Sequence, residues 1–294
     1  MKAALSQLEV VRPRDLAHAV SLLHESAGAE RLTPLAGGTD LFVYLNAGTL
    51  TDRRYLDLSP LSELRAIRPA KGGVRIGALA TFDAIARHAA CARWPMLPQA
   101  ARVIGAAQIQ NRATLGGNVA NASPAGDSLP VLLAYDAVVH AASVRGEREI
   151  AFGKLYTGYR RLALEPDELI VAVTLPDRPG RARELFRKVG TRAAQSISKV
   201  VFAGALRVDR GGVVDHVRLA WGSVAPVTLR SSAAESALLG VRPSPDAAAA
   251  AREALARDIA PIDDIRSDAA YRLAVAQAVL AQFLRLAHAD FRAR

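Results

Sequence analysis

Three observations predict an α+β protein of two N-terminal lobes and a smaller C-terminal domain. Strand and helix signals alternate through the first third. A Pro-Asp-Arg-Pro-Gly linker stands at 176–180, and beyond it come hairpin strands followed by long helical patterns. The lobes run from about 1 to 57 and from 58 to 177, and the last domain covers 182–294.

In the first lobe Glu9–Val11 reads as a short strand. Pro13-Arg14-Asp15 opens a helix carrying Leu16, Val20 and Leu23 at helical spacing. Leu32–Leu35 is a second strand, Leu41-Phe42-Val43 starts a helix, and Tyr55–Leu58 is a third strand. In the second lobe Val74–Ala78 alternates like a strand, and Thr81 caps a helix over Phe82–His88 with Asp83 in its first turn. Pro95 and Pro98 punctuate the chain before a helix at Ala100–Ile104. A glycine- and asparagine-rich loop, Asn111–Asp127, leads into the apolar run Leu129–Val139, and Asp167–Leu175 is a strand. After the linker, Leu185–Val189 and Val200–Val208 read as strands. The turn Asp209–Gly212 makes a hairpin with Val213–Trp221. Ser244-Pro245 caps the alanine-rich helix Asp246–Ala256, and Asp268–Ala289 places Leu273, Ala276, Val279, Leu280 and Phe283 on one face.

Composition narrows the function classes. The 294 residues are 51% hydrophobic and 22% charged, which is too apolar for a disordered chain. One cysteine, Cys91, excludes a disulfide framework, a cysteine-rich zinc site or an iron–sulfur cluster on this chain alone, and it reads as a buried, inert thiol. The six histidines show no metal-ligand spacing, so no metal site is expected. No apolar run is long enough for a membrane span, and the N-terminus does not read as a signal peptide, so a cytoplasmic location is expected. The net charge of +10 raises a nucleic-acid-binding module as one reading, but the basic residues are dispersed and only 5% of residues are aromatic.

Two glycine loops carry the chemistry. In Leu35-Ala36-Gly37-Gly38-Thr39-Asp40 the paired glycines let the backbone approach a ligand closely, Thr39 adds a hydroxyl, and the following helix presents its positive end. The spacing is neither that of a dinucleotide-binding turn nor that of a P-loop. In Thr114–Asp127 small hydrogen-bonding residues alternate with glycine and alanine, a composition that can wrap a large polar ligand, and Asp127 suits ribose hydroxyls. No general acid, base or nucleophile is legible, and no catalytic residue is assigned.

Together, Ala36-Gly37-Gly38-Thr39-Asp40 and, about 75 residues later, Thr114-Leu115-Gly116-Gly117-Asn118-Val119-Ala120-Asn121-Ala122-Ser123-Pro124 with Asp127 resemble the FAD-binding medium subunit of molybdenum hydroxylases, the xanthine dehydrogenase and carbon monoxide dehydrogenase flavoprotein family. Ile76–Thr81, Pro166–Ile170, Pro261–Asp264 and Tyr271-Arg272 extend the resemblance over essentially the whole chain. It implies a two-lobed FAD domain of the vanillyl-alcohol-oxidase (PCMH) type and a C-terminal domain of three antiparallel strands packed on helices. By resemblance Ala36–Asp40 and Leu41 hold the FAD diphosphate, while Thr114, Gly117, Asn118, Asn121 and Asp127 contact its diphosphate, ribityl or ribose groups. Leu35, Gly116 and Ser123 complete this set. Ile104 and Ile170 lie near the ring systems. Lys188, in Phe186–Gly190, matches a lysine near the flavin and would be paired there with the reduced ring or a phosphate.

The family role is electron transfer. Substrate is hydroxylated at a molybdenum cofactor in a large partner subunit. Electrons reach FAD through two [2Fe–2S] clusters of a small subunit and leave to NAD, oxygen, a quinone or a carrier protein. The assembly is a heterotrimer that can double. Two departures stand out: where many members carry Arg-x-x-Asp-Asp-Ile, Arg192 here is followed by Gln195-Ser196-Ile197, and the cysteine-rich insertion of some relatives is absent. A free-standing FAD-dependent oxidase with its own organic substrate is the alternative within redox chemistry.

Overall fold

Parallel pairing of three short strands opens the computed structural model, which describes residues 8–26, 31–178, 180–192 and 195–291. The first seven residues and Pro179 of the linker lie outside that range. The first lobe runs β1 (Glu9–Val11), α1 (Leu16–Glu25), β2 (Thr33–Leu35), α2 (Leu41–Ala47) and β3 (Arg54–Asp57), with sheet order β1-β3-β2. Asp15 caps α1 by accepting from the His18 N–H at 2.7 Å. The helical spacing of Ala19, Val20 and Leu23 buries that face against Leu32, Leu56 and Leu58.

The second lobe holds β4 (Ile67–Ala70), β5 (Gly73–Gly77), α3 (Phe82–Arg87), α4 (Met96–Ala101), α5 (Ala107–Gln110), α6 (Leu115–Asn121), α7 (Leu129–Ala134), β6 (Val138–Ser143), β7 (Gly146–Ala151), the small hairpin β8 (Tyr156–Gly158) and β9 (Arg161–Leu162), and β10 (Leu169–Pro176). Its five-stranded antiparallel sheet has the order β4-β5-β10-β6-β7. Thr81 caps α3 as expected, accepting from the Ala84 N–H at 3.2 Å.

Three expectations are corrected here. The helix placed at Ala100–Ile104 begins earlier, at Met96, and ends at Ala101. Pro95 is its N-cap and Pro98 lies in its first turn, where a missing N–H breaks no helical bond. The second glycine loop is partly helical: Thr114 Oγ1 accepts from the Gly117 N–H at 3.1 Å, α6 runs through both glycines, and Ala122 ends it at φ 50°. The run Leu129–Val139 splits into α7 and the start of β6, with Asp136 turning the chain at φ 50°.

The last third forms an antiparallel sheet of β11 (Arg183–Val189), β12 (Val200–Val208) and β13 (Val214–Gly222), to which β14 (Leu229–Arg230) adds a two-residue edge strand. Helices α8 (Ser232–Leu238), α9 (Pro245–Asp258) and α10 (Ala269–Ala287) follow. Residue size alternates along β12 and β13. Phe202, Leu206, Leu219 and Trp221 pack with Leu255, Leu280 and Phe283 of the helices, whereas Ala203 and Ala220 belong to the core of the second lobe and lie on the α7 side. The sheet is therefore a wall shared by both parts of the chain.

Candidate functional site

The first glycine loop joins β2 to α2. None of the N–H groups of Gly37, Gly38, Thr39, Asp40 and Leu41 donates to an acceptor among the described residues. Gly38 sits at φ 74°, and a Cβ there would meet the Phe42 ring at 2.8 Å. A Cβ on Gly37 would overlap the Arg112 carbonyl oxygen, so this glycine lets the first loop abut the second. The remaining link is Asn121, whose amide donates to Asp40 at 3.1 Å and accepts from Tyr44 at 3.3 Å. Arg160 donates to the Tyr44 hydroxyl at 2.9 Å and lies over its ring. Surrounding protein raises the Asp40 carboxyl, against the pull of the Arg160 charge.

The second loop is held by the chain. The N–H groups of Leu115 and Gly116 donate to Ala80 and Ala78, and Phe82 donates to Ala113, so Ile76–Thr81 forms a backbone shelf beneath it. Gly116 presses on Ala78, where a Cβ would come within 2.6 Å. Asn118 Oδ1 accepts from Ser128 at 2.6 Å, and Ser123 accepts from the Ala125 N–H at 3.3 Å.

Lys188 reaches this loop from β11. Its ammonium donates to Asp127 Oδ2 at 2.6 Å and to the Val103 carbonyl at 3.0 Å. Asp127, expected to serve ribose hydroxyls, is thus the negative partner of Lys188 within the chain. Its other oxygen, Oδ1, is buried and accepts from no donor among the described residues. Burial pushes the Asp127 carboxyl up to about 6, and Lys188, then the nearby Ser198 hydroxyl, oppose that shift.

A corner of the C-terminal sheet braces the same segment. The Ser198 hydroxyl donates to the Ala125 carbonyl at 3.2 Å, and the Ser223 N–H donates to that of Pro124 at 2.8 Å. Buried Arg272 fixes the corner by donating to the Lys199 and Ser223 carbonyls at 2.8 and 3.0 Å and to Asp264 at 2.8 Å. These contacts give Asp264 and Arg272 a structural task.

The structure brings Gly37 against Arg112 and Ala113, Asp40 to Asn121, and Lys188 to Asp127. Thr114, Gly116, Gly117 and Asn118 lie on the cap and the body of α6, the helix that ends at Asn121, and Ser123 follows it in the chain. Ile104 and Ile170 are both buried in the second-lobe core. Gln195 stands at φ 53° with its N–H on the Gly105 carbonyl at 3.3 Å, so the segment lacking the acids folds back beside Ile104. Cys91 is buried, which pushes its thiol up to about 11 and leaves it unreactive. Tyr44 and Arg160 were not legible as site residues. Their only signals were a tyrosine one turn past the first loop and a Gly158-Tyr159-Arg160 turn with no neighbouring motif.

Both parts of the chain resemble known proteins. Residues 6–178 match the family described as the FAD-binding domain in molybdopterin dehydrogenase, and residues 185–287 match the carbon monoxide dehydrogenase flavoprotein C-terminal domain. The chain is 34% identical over 269 residues to the xanthine dehydrogenase FAD-binding subunit of Escherichia coli O157:H7, covering 90% of this chain and 91% of that one. It is 31% identical over 288 residues to the carbon monoxide dehydrogenase medium chain of Hydrogenophaga pseudoflava, covering 96% and 98%. The solved carbon monoxide dehydrogenase from Hydrogenophaga pseudoflava that lacks the Mo-pyranopterin moiety superposes with a TM-score of 0.90 at 30% identity, over 97% of this chain and 98% of that one. No helix among the described residues is long and apolar enough to cross a membrane. With both parts matched and full-length relatives above 30% identity, the chain belongs to the FAD-binding medium-subunit family of the molybdenum hydroxylases.

Proposed function

We propose that this chain is the electron-transfer flavoprotein subunit of a cytoplasmic molybdenum hydroxylase, with residues 1–177 holding FAD and 182–294 closing against them. The observation that carries this reading is the first glycine loop, in which five successive N–H groups have no acceptor among the described residues. Such a set suits the oxygens of a diphosphate. Asp127 Oδ1 adds a buried acceptor without a donor among the described residues, and a ligand hydroxyl is a donor of the kind it lacks. FAD, when bound, supplies electron transfer between iron–sulfur clusters of a small subunit and NAD or another acceptor, while substrate chemistry resides at the molybdenum cofactor of a large subunit.

The chain's own residues bind and orient. Leu35–Leu41 would receive the diphosphate, and Thr114, Gly116, Gly117, Asn118, Asn121 and Ser123 would line the adjoining ribityl or ribose part. Ile104 and Ile170 would bound the ring systems with apolar surface. Neither loop contains a Cys or His able to form a covalent flavin link, so the cofactor is held non-covalently. Gln195-Ser196-Ile197 carries no acid, so nothing in that segment selects NAD over another acceptor.

The purified full chain should show flavin absorption bands, or gain them on adding FAD, and acid precipitation should leave the flavin in solution. A colourless chain that takes up no FAD would overturn the proposal. An FAD-loaded isolated chain that oxidised an organic substrate with an artificial acceptor would instead favour the free-standing oxidase.

A further inference from the structure

We infer that the outward face of α2 and the adjoining turn at Tyr159-Arg160 form the docking surface for the iron–sulfur subunit, whose matching surface is apolar and sets a carboxylate against Arg160. The inference rests on the electron-transfer reading above and adds to it the face on which that partner sits.

The chain leaves an apolar helix uncovered. The sequence of α2, Leu-Phe-Val-Tyr-Leu-Asn-Ala, has no charged residue, yet only Leu45 is buried. A helix without a charged face is ordinarily enclosed by protein. Here Phe42 is 45% exposed and Val43 60%, and Tyr159, in the turn between β8 and β9, is 61% exposed. Arg160 ties the two elements into one surface. Its guanidinium donates to the Tyr44 hydroxyl at 2.9 Å and lies 5.2 Å and 5.8 Å from the centres of the Tyr44 and Tyr159 rings. The turn holds Arg160 at φ 53°, a left-handed backbone uncommon for a residue with a long side chain, and strain of this kind gathers at binding surfaces. Exposed aromatic and aliphatic side chains around an arginine are the composition found at the centre of protein interfaces.

Charge and position select the occupant. Neither α2 nor the hairpin 156–162 contains an acidic residue. Arg160 makes no ion pair among the described residues, and Asp40, which ends the first glycine loop, accepts from Asn121 instead. A second copy of the chain, related by a twofold axis through this face, would set Arg160 and Arg161 against their counterparts, which is repulsive. A carboxylate on a different protein would complete an ion pair shielded by the tyrosine rings. Position then chooses among partner proteins. The helix starts at the residue after the first glycine loop, and the Phe42 ring packs against Gly38 of that loop. A protein seated here therefore lies beside the cofactor loop. Electron transfer slows steeply with distance, so the subunit that delivers electrons needs this proximity, whereas the subunit that hydroxylates substrate does not.

The test uses the full-length, FAD-loaded chain and the iron–sulfur subunit separated from the assembled complex, with binding followed by sedimentation at the iron–sulfur absorption. The FAD affinity and urea midpoint of every variant are read alongside. Val43→Asp/Tyr159→Ser should weaken binding of the iron–sulfur subunit about thirtyfold or more, while FAD affinity and the urea midpoint keep their native values. Arg160→Gln should weaken it about tenfold at low salt, and the gap should close as salt is raised. Ile265→Ser, at an apolar residue 98% exposed in the C-terminal domain, should change nothing. Native binding of the iron–sulfur subunit by Val43→Asp/Tyr159→Ser overturns the inference. So does an equal loss in Ile265→Ser, or a loss confined to binding of the separated molybdenum subunit. If the double variant fails to fold, Tyr159→Ser alone, at the tip of a turn, decides: a loss of about fivefold or more supports the surface, and native binding overturns it. A native chain that takes up no FAD, or takes it up and binds no iron–sulfur subunit, sinks the electron-transfer reading. A native chain that binds both, with every variant unaffected, sinks only this inference.

Discussion

The two glycine loops look alike as strings of letters and are built in opposite ways. The first leaves five consecutive N–H groups without an acceptor among the described residues and relies on Gly37 to come against the second. The second spends its donors inside the chain, on Ala78, Ala80 and the Thr114 cap, and is braced from behind by the C-terminal sheet. A glycine pair can therefore mean two things: a backbone open to a ligand, or a backbone pressed flat against its own scaffold. One loop is shaped to receive, and the other to stay where it is put.

The sharpest way to break this contrast is Gly37→Ala. Its Cβ would overlap the Arg112 carbonyl, a backbone atom that cannot turn aside. The expected cost is above ~4 kcal/mol in urea unfolding, with loss of FAD from whatever chain still folds. An FAD-replete, native-like Gly37→Ala chain would show that the loops do not meet. Gly38→Ala should cost less, about 1–2 kcal/mol for the left-handed backbone, because the Phe42 ring it meets is half exposed and can swing away. Its signature should be weak FAD binding at modest instability. The reverse pattern is expected of Thr114→Ala. Losing the cap should cost about 1 kcal/mol of stability and change FAD affinity less than Gly38→Ala does. Equal effects of these two variants on FAD content would erase the distinction between the loops.

Acid provides the finest test, through the brace. Asp264 is pulled down to about 2; burial works against this, but the backbone and side chain of Arg266 and the charge of Arg272 prevail. Its stabilising contribution is present above its unfolded pKa near 4 and is lost as pH falls toward 2. Asp127 has the opposite sign. Its raised pKa means the folded chain takes up a proton between about 6 and 4, so acidifying through that window favours folding. The native profile also carries the lowered His140 and His216 and the lowered Asp57 and Glu168, so the two signs are read as differences from the native chain. From pH 7 to 2, the stability difference for Asp264→Asn should change only below about pH 4, and that for Asp127→Asn only between about pH 6 and 4.

Much of the fold was legible because caps and periodicity act locally. Asp15, Thr81, Ser244 and Asp268 each cap the helix they announce, accepting from an N–H three residues on. The failures have equally local causes. Proline in a first turn breaks no bond, so Pro98 marked no boundary. A threonine cap turned the Gly-Gly-Asn stretch into a helix, which composition alone presents as a loop. Residues of the two loops were found because their types are unusual. Their meeting through Asn121 and Asp40, and the Lys188–Asp127 pair, join positions 81 and 61 residues apart, and no local rule can supply such contacts. Tyr44 and Arg160 were missed for the same reason, since 116 residues separate them.

The alanines of the shared sheet have a calorimetric consequence. Ala203 and Ala220 are fully buried in the core of the second lobe while their strand neighbours Phe202 and Trp221 are fully buried in the core of the C-terminal helices. Neither core can melt without exposing one face of the same strands. Heating the chain should therefore give one heat-absorption peak whose van't Hoff and calorimetric enthalpies agree, although the sequence reads as separate domains. Two resolved peaks would mean that the alanine face parts from α7 before the aromatic face parts from α10.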